Sequence, residues 1–166
     1  MNLQENILRI KQMMGVLTEQ TDNKTIKIFK NGKGSKNSEN YKGDVVNISL
    51  KDVLPNEVSK TDSYMRTNQT ANDLIKSIKN KEDIEPIKVL KHPYDPSKYS
   101  LIDGHHRRYA YNKSGVDKVP AVVISPKDVV LINNDDHIGL DKVQKDKDMV
   151  DMYFTKPDGT NSFKKG

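Results

Sequence analysis

The chain has no cysteine. That one absence excludes disulfides, thiolate metal sites and cysteine nucleophiles, and it fits an intracellular setting. No apolar run approaches the ~18 residues needed to cross a membrane. Arg9 and Lys11 interrupt the N-terminal apolar stretch that a secretory signal would require. The expected location is the cytoplasm, with no membrane partner. Apolar residues are also scarce, at 34%. Counting glycine in place of tyrosine leaves about 35%, against roughly 45–50% in ordinary globular domains. So only part of the chain is expected to pack, the rest forming tails and solvated loops. The 166 residues suffice for one domain and not for two ordinary ones. The sequence has no internal repeat.

Charge is mixed rather than missing. There are 28 basic and 23 acidic residues, a net charge of +5. This permits a polyanionic partner such as DNA without demanding one.

Four segments follow from the pattern. Residues 1–20 hold an amphipathic helix over 2–18, with Leu3, Ile7, Ile10, Met14 and Leu17 on one face. It either packs on its own domain or docks in a groove of a protein partner. Residues 21–44 read as a flexible linker, because 31–44 is polar and glycine-rich and cannot offset its ordering entropy. Within it, Thr25–Phe29 alternates like an edge strand. Residues 45–125 are the expected folded domain. Strands are predicted at 45–50, 86–90, 99–102 and 119–124. A helix begins near Thr70, its candidate N-cap, and buries Ala71, Leu74, Ile75 and Ile78. A second helix spans 103–113 and ends at Gly115. Residues 126–166 read as a loop-rich extension with a terminal β-hairpin turning at Asp158-Gly159.

The chemistry concentrates in Asp103-Gly104-His105-His106-Arg107-Arg108, where a strand turns through glycine into a helix. Such a turn brings unpaired backbone N–H groups and the positive end of a helix dipole together, which attracts phosphate. Gly104 permits the close approach. Arg107 and Arg108 can pair with phosphate oxygens. His106 can neutralise phosphate charge or move a proton, while His105 points about 100° away from it around the helix. Asp103 is expected to cap the helix in preference to holding a metal. Adjacent histidines rarely converge on one ion, so no transition-metal site is expected. Tyr109 and Tyr111 read as core residues.

The ordered elements resemble the ParB/sulfiredoxin superfamily over residues 46–124. They are a strand, a loop at Leu54-Pro55-Asn56, the helix ending in Lys76-Ser77-Ile78, and the strand Pro86-Ile87-Lys88-Val89. The Gly-x-x-Arg turn of Gly104–Arg107, Gly115 and Val119-Pro120-Ala121-Val122-Val123 complete the series. The resemblance implies a small mixed α/β domain whose Gly-x-x-Arg turn holds nucleotide phosphates. ParB proteins bind CTP there, sulfiredoxins use ATP, and a third branch phosphorylates free serine. His106-Arg107 matches the sulfiredoxin His-Arg. His105 stands where the sulfiredoxin cysteine would, so that chemistry is excluded. The expected ligand is ATP, ADP or CTP, with or without Mg. The resemblance also makes Glu57 the candidate general base, as kinase members keep an acidic residue in that loop. Arg66, before the Thr70 helix, is a candidate contact to phosphate or DNA. Partition-type ParB proteins continue into a helix-turn-helix region, and no element after 125 has that pattern.

Three functions follow as expectations. The first is a nucleotide-binding protein acting with nucleic acid, as a ParB-like nuclease or a nucleotide-gated DNA binder. Its short length has the style of a phage or mobile-element protein of the host cytoplasm or virion. The second is a small-molecule phosphotransferase. The third is a non-catalytic module docked through helix 2–18.

Overall fold

The computed structural model describes residues 25–163. The expected helix 2–18 lies outside them. Fourteen strands and helices follow in order. The strands are β1 (Ile26–Phe29), β2 (Ser35–Lys36), β3 (Val45–Ser49), β4 (Val53–Leu54), β5 (Ile87–His92), β6 (Asp95–Asp103), β7 (Lys118–Ile124), β8 (Val129–Asn133) and β9 (Asp136–Gly139). The helices are α1 (Asp62–Arg66), α2 (Gln69–Lys79), α3 (His105–Lys113), α4 (Leu140–Val143) and α5 (Lys147–Asp151).

The central sheet has the order β3-β7-β5-β6-β4 and mixes directions. β3 runs antiparallel to β7, β5 parallel to β7 and antiparallel to β6, and β4 parallel to β6. Its interior strand β5 buries Ile87, Val89 and Leu90 completely, the near-continuous apolar run of a strand covered on both faces. β6, which leads into α3, lies beside this strand.

A second sheet, β2-β1-β8-β9, departs from the sequence reading. β1 is not an edge strand but lies between β2 and β8, parallel to β8. Ile26 and Ile28 join Leu90, Ile102, Ile124, Leu131, Tyr153 and Phe154 in one core cluster. The stretch expected as a linker is thus built into the fold from residue 25. Its positive-φ residues Asn31, Gly32 and Gly34 supply the tight return from β1 to β2, and Asn37 turns the chain after β2. The polar composition was misleading because turns, not disorder, use those residues.

Two further corrections concern the C-terminal extension. Residues 126–139 are not loop-like, since β8 buries Val129 and Leu131 in the core. The terminal hairpin does not form. Lys156 N–H does donate to Thr160 O at 2.8 Å, closing a tight turn, but no strands flank it. Tyr153, Phe154 and Thr155 are buried, and their backbone bonds go to Val150, Asn56 and His92 rather than to a ladder. At α2, the N-cap is Asn68, whose side chain accepts from Ala71 N–H, not Thr70. Among the described residues no helix is long and apolar enough to cross a membrane.

Candidate functional site

A cleft of about 560 Å³ opens between α2, the loop after β4 and the start of α3. Thr70, Leu74 and Ser77 form one wall, Glu57 and Lys60 another, and Asp103–Arg107 the floor, with Asp83–Glu85 at the rim. The floor is built by Gly104, whose φ of 108° lies in the left-handed region. A Cβ there would come 2.8 Å from Ile87 Cγ2, so the turn needs glycine both for its backbone angle and for its contact with β5. α3 runs nine residues. Its first-turn N–H groups have no partner within the helix, and the dipole adds positive potential where they lie.

The side chains around this turn divide sharply. Arg107 stays at the cleft, but both ends of its guanidinium are held by protein oxygens. Nη1 donates to the carbonyls of Glu85 and Pro86, both at 3.2 Å, and pairs with Glu85 Oε2 at 3.3 Å. Nη2 pairs with Asp103 Oδ2 at 3.3 Å. Arg107 thereby ties the turn to the start of β5. The expected helix cap at Asp103 is not made, as Gly104 is the N-cap residue and Asp103 serves Arg107 instead. Arg108 leaves the cleft altogether, and its Nε donates to Val53 O at 3.3 Å on the other side of α3. The 100° step between neighbouring helix residues accounts for the split. Arg66 is exposed and outside the cleft lining.

His105 is buried, and its Nε2 accepts the Asn56 backbone N–H at 3.1 Å. That bond assigns the ring proton to Nδ1, which faces Glu57 Oε2 at 3.8 Å. Burial, reinforced by the charge of Arg108 and Lys60, holds its pKa down to about 3, so the ring is neutral. Burial likewise lowers the pKa of His106, with Lys60 and Arg107 adding to it. His106 therefore offers a hydrogen bond at neutral pH and no formal charge, contrary to the charge-neutralising role expected of it. It packs edge-on against Tyr64, with ring centroids 6.1 Å apart. Tyr109 and Tyr111 are buried as expected.

Glu57 enters the same cleft, half-buried, with its pKa raised by desolvation and by the charge of Asp103, against the opposing pull of Lys60. Gly34 backs its carboxyl so closely that a Cβ there would lie 2.9 Å from Oε1. Three participants escaped the sequence reading. Lys60 is the cleft cation with no carboxylate partner among the described residues. Gly34 sits in the supposed linker. Asn56 is a buried hub, its Nδ2 donating to Tyr153 O and its Oδ1 accepting from Thr155 N–H, both at 2.9 Å. The Leu54-Pro55-Asn56 loop marked the place, but the partners of Asn56 lie about a hundred residues away. Among the described residues no cluster of His, Asp and Glu could hold a metal ion.

No curated protein matches the chain. Among solved structures, a conserved hypothetical protein from Pyrococcus furiosus is 25% identical over 51% of this chain and 33% of its own, with a TM-score of 0.40. The chain thus spans about a third of that protein. A free serine kinase in complex with AMP is 26% identical over 51% of this chain and 32% of its own, with a TM-score of 0.39. ParB from Caulobacter crescentus complexed with CTP-gamma-S is 18% identical over 64% of this chain and 53% of its own, with a TM-score of 0.42. Sulfiredoxin from Arabidopsis thaliana is 20% identical over 50% and 86%, with a TM-score of 0.38. The sequence model of the ParB N-terminal domain matches residues 34–133. With most of the described fold and the Gly104–Arg107 turn inside that match, the chain belongs to the ParB N-terminal domain family.

Proposed function

We propose that the cleft binds the phosphates of a nucleotide, ATP, ADP or CTP. The observation that carries this reading is the conjunction of the Gly104 turn, the unpaired first-turn amides of α3 and Lys60 facing one open cleft. Backbone N–H groups at a helix start form an anion cradle, and an ammonium beside them adds a point charge. Arg107 acts by holding the turn on Glu85 and Pro86, so its contribution to phosphate binding is mainly positional. Leu74 and Ile84 supply apolar wall for the remainder of the ligand.

Glu57 favours a second reading, phosphoryl transfer to a small hydroxyl acceptor. A carboxylate with a raised pKa, set beside a phosphate cradle, suits a general base. It would take the hydroxyl proton while the acceptor oxygen bonds to the terminal phosphorus and the nucleotide leaves with one phosphoryl group fewer. Mg, if recruited, would be held chiefly by the nucleotide's own phosphates and would supply charge neutralisation.

A nucleotide panel followed by thermal unfolding of the full chain tests both readings. A specific ligand stabilises by about 2.7 kcal/mol at a hundredfold excess over Kd. At least one of ATP, ADP and CTP should do so, and Lys60→Gln should reduce the effect. Glu57→Gln should retain the binding and lose any turnover. If no nucleotide raises the transition, the binding reading fails. If binding persists and Glu57→Gln turns over like the parent, only the transfer reading fails.

A further inference from the structure

The far side of α3 carries a second basic groove, of about 430 Å³, lined by Ser49, Leu50, Lys51, Arg108, Asn112, Val116 and Asp117. Arg108 and Asn112 stand one helical turn apart and so share that face. Arg108 is half-buried, and its single hydrogen bond uses Nε alone. Among the described residues, Nη1 and Nη2 have neither a hydrogen-bond acceptor nor a carboxylate in pairing range. Asp62 acts on the guanidinium only at a distance. A guanidinium carries five donors and no acceptor, and leaving such donors unpaired while partly desolvated is costly. Lys51 is the exposed residue of the short turn Leu50–Asp52 beside it. Lys118, opposite Ser49 in the β3–β7 pair, adds a third cation nearby. Asp117 is the one carboxylate on the lining.

We infer that this groove is a second oxyanion site, separate from the nucleotide cleft, in which Arg108 and Lys51 hold a phosphate or phosphodiester group with help from the Ser49 hydroxyl and the Asn112 amide. The planar fork of Arg108 suits two phosphate oxygens. The Val53 carbonyl fixes the guanidinium from behind through Nε, leaving the other end of the fork to the groove. The two sites have no lining residue in common.

Amide NMR titrations of the full chain test this with inorganic phosphate in one arm and a short oligothymidylate in the other. Shifts should gather at residues 49–51, 108, 112 and 116–117, apart from the cleft residues 57, 60 and 104–107. Arg108→Gln should weaken the response about tenfold or more. Should that variant fail to fold, Lys51→Gln, at an exposed side chain, should still weaken it severalfold. Saturation by phosphate with no gain from the oligonucleotide identifies a single-anion site. Affinity that grows with oligonucleotide length and falls steeply with salt identifies a nucleic-acid backbone. Shifts confined to the cleft, or titrations unchanged in both variants, would overturn the assignment. Failure of every nucleotide to bind the cleft would leave this result standing, because the two sites are read at different residues.

Discussion

The guanidinium of Arg107 lies on the bare backbone of Gly104: a Cβ on the glycine would sit 3.0 Å from both Nε and Nη2 of the arginine. The Gly-x-x-Arg spacing is thus a packing unit. The glycine makes room for the guanidinium, and the guanidinium pins the turn to the carbonyls of Glu85 and Pro86.

Gly104→Ala meets Ile87 and Arg107 and also forces a β-carbon into the left-handed region. The expected loss is about 1–3 kcal/mol in chemical denaturation, together with loss of stabilisation by nucleotide. Gly115→Ala makes the control. It shares a positive φ of 71° but has open space around it, so it should cost about 1 kcal/mol and spare the ligand effect.

Asn56→Ala removes both bonds to the Tyr153–Thr155 segment and strands the Tyr153 carbonyl and the Thr155 amide in the interior. A cost of about 2–6 kcal/mol is expected, from two buried groups at roughly 1–3 kcal/mol each. Thr155→Val removes only the hydroxyl bond to Pro55 O, 2.7 Å long, and should cost about 1–2 kcal/mol. Equal urea midpoints for Asn56→Ala and the parent would refute the hub.

His105 makes stability depend on acid. Its folded pKa, about 3, lies below the ordinary 6.5. Between those values the unfolded chain binds a proton that the folded chain does not, so stability falls as pH drops through that window and is complete above it. His92 is also lowered by burial and acts in the same direction. His105→Gln keeps an acceptor for Asn56 N–H and should flatten its share of the slope in urea titrations across pH.

Glu57 acts with the opposite sign. Its folded pKa is raised above the ordinary carboxylate value. In the window between the two, the folded chain holds the extra proton, and stability declines as pH rises through it. Glu57→Gln should therefore be more stable than the parent at neutral pH and level with it in acid. Gly34→Ala, which crowds the same carboxyl, should depress nucleotide turnover more than nucleotide binding.

Local pattern made much of the frame legible. β5, β7 and α3 announced themselves through β-branched runs and a glycine-bounded helix, because those elements are decided by residues near one another in sequence. Tyr109 and Tyr111 are buried as expected, in two different core clusters on opposite sides of the helix. The reading failed where long-range pairing outweighed composition. β1 is four residues long and flanked by polar glycine-rich chain, yet it is secured by parallel pairing to β8 about a hundred residues on. The missing hairpin at Asp158-Gly159 failed for the same reason, since Tyr153 and Phe154 gain more from the distant core than from a local ladder.

The sequence by itself determined where the strand-to-helix turn lies, because a glycine between strand and helix accommodates a left-handed residue and leaves the first-turn amides free of helical partners. Only the tertiary structure decided which charges serve it. Side-chain direction around α3 sends Arg107 to Glu85, Arg108 to a separate groove and His105 into the interior, while a loop from elsewhere brings Lys60 and Glu57 to the cleft. Neighbouring residues on a helix diverge by about 100°, and what each one meets is set by chain segments that local sequence does not see.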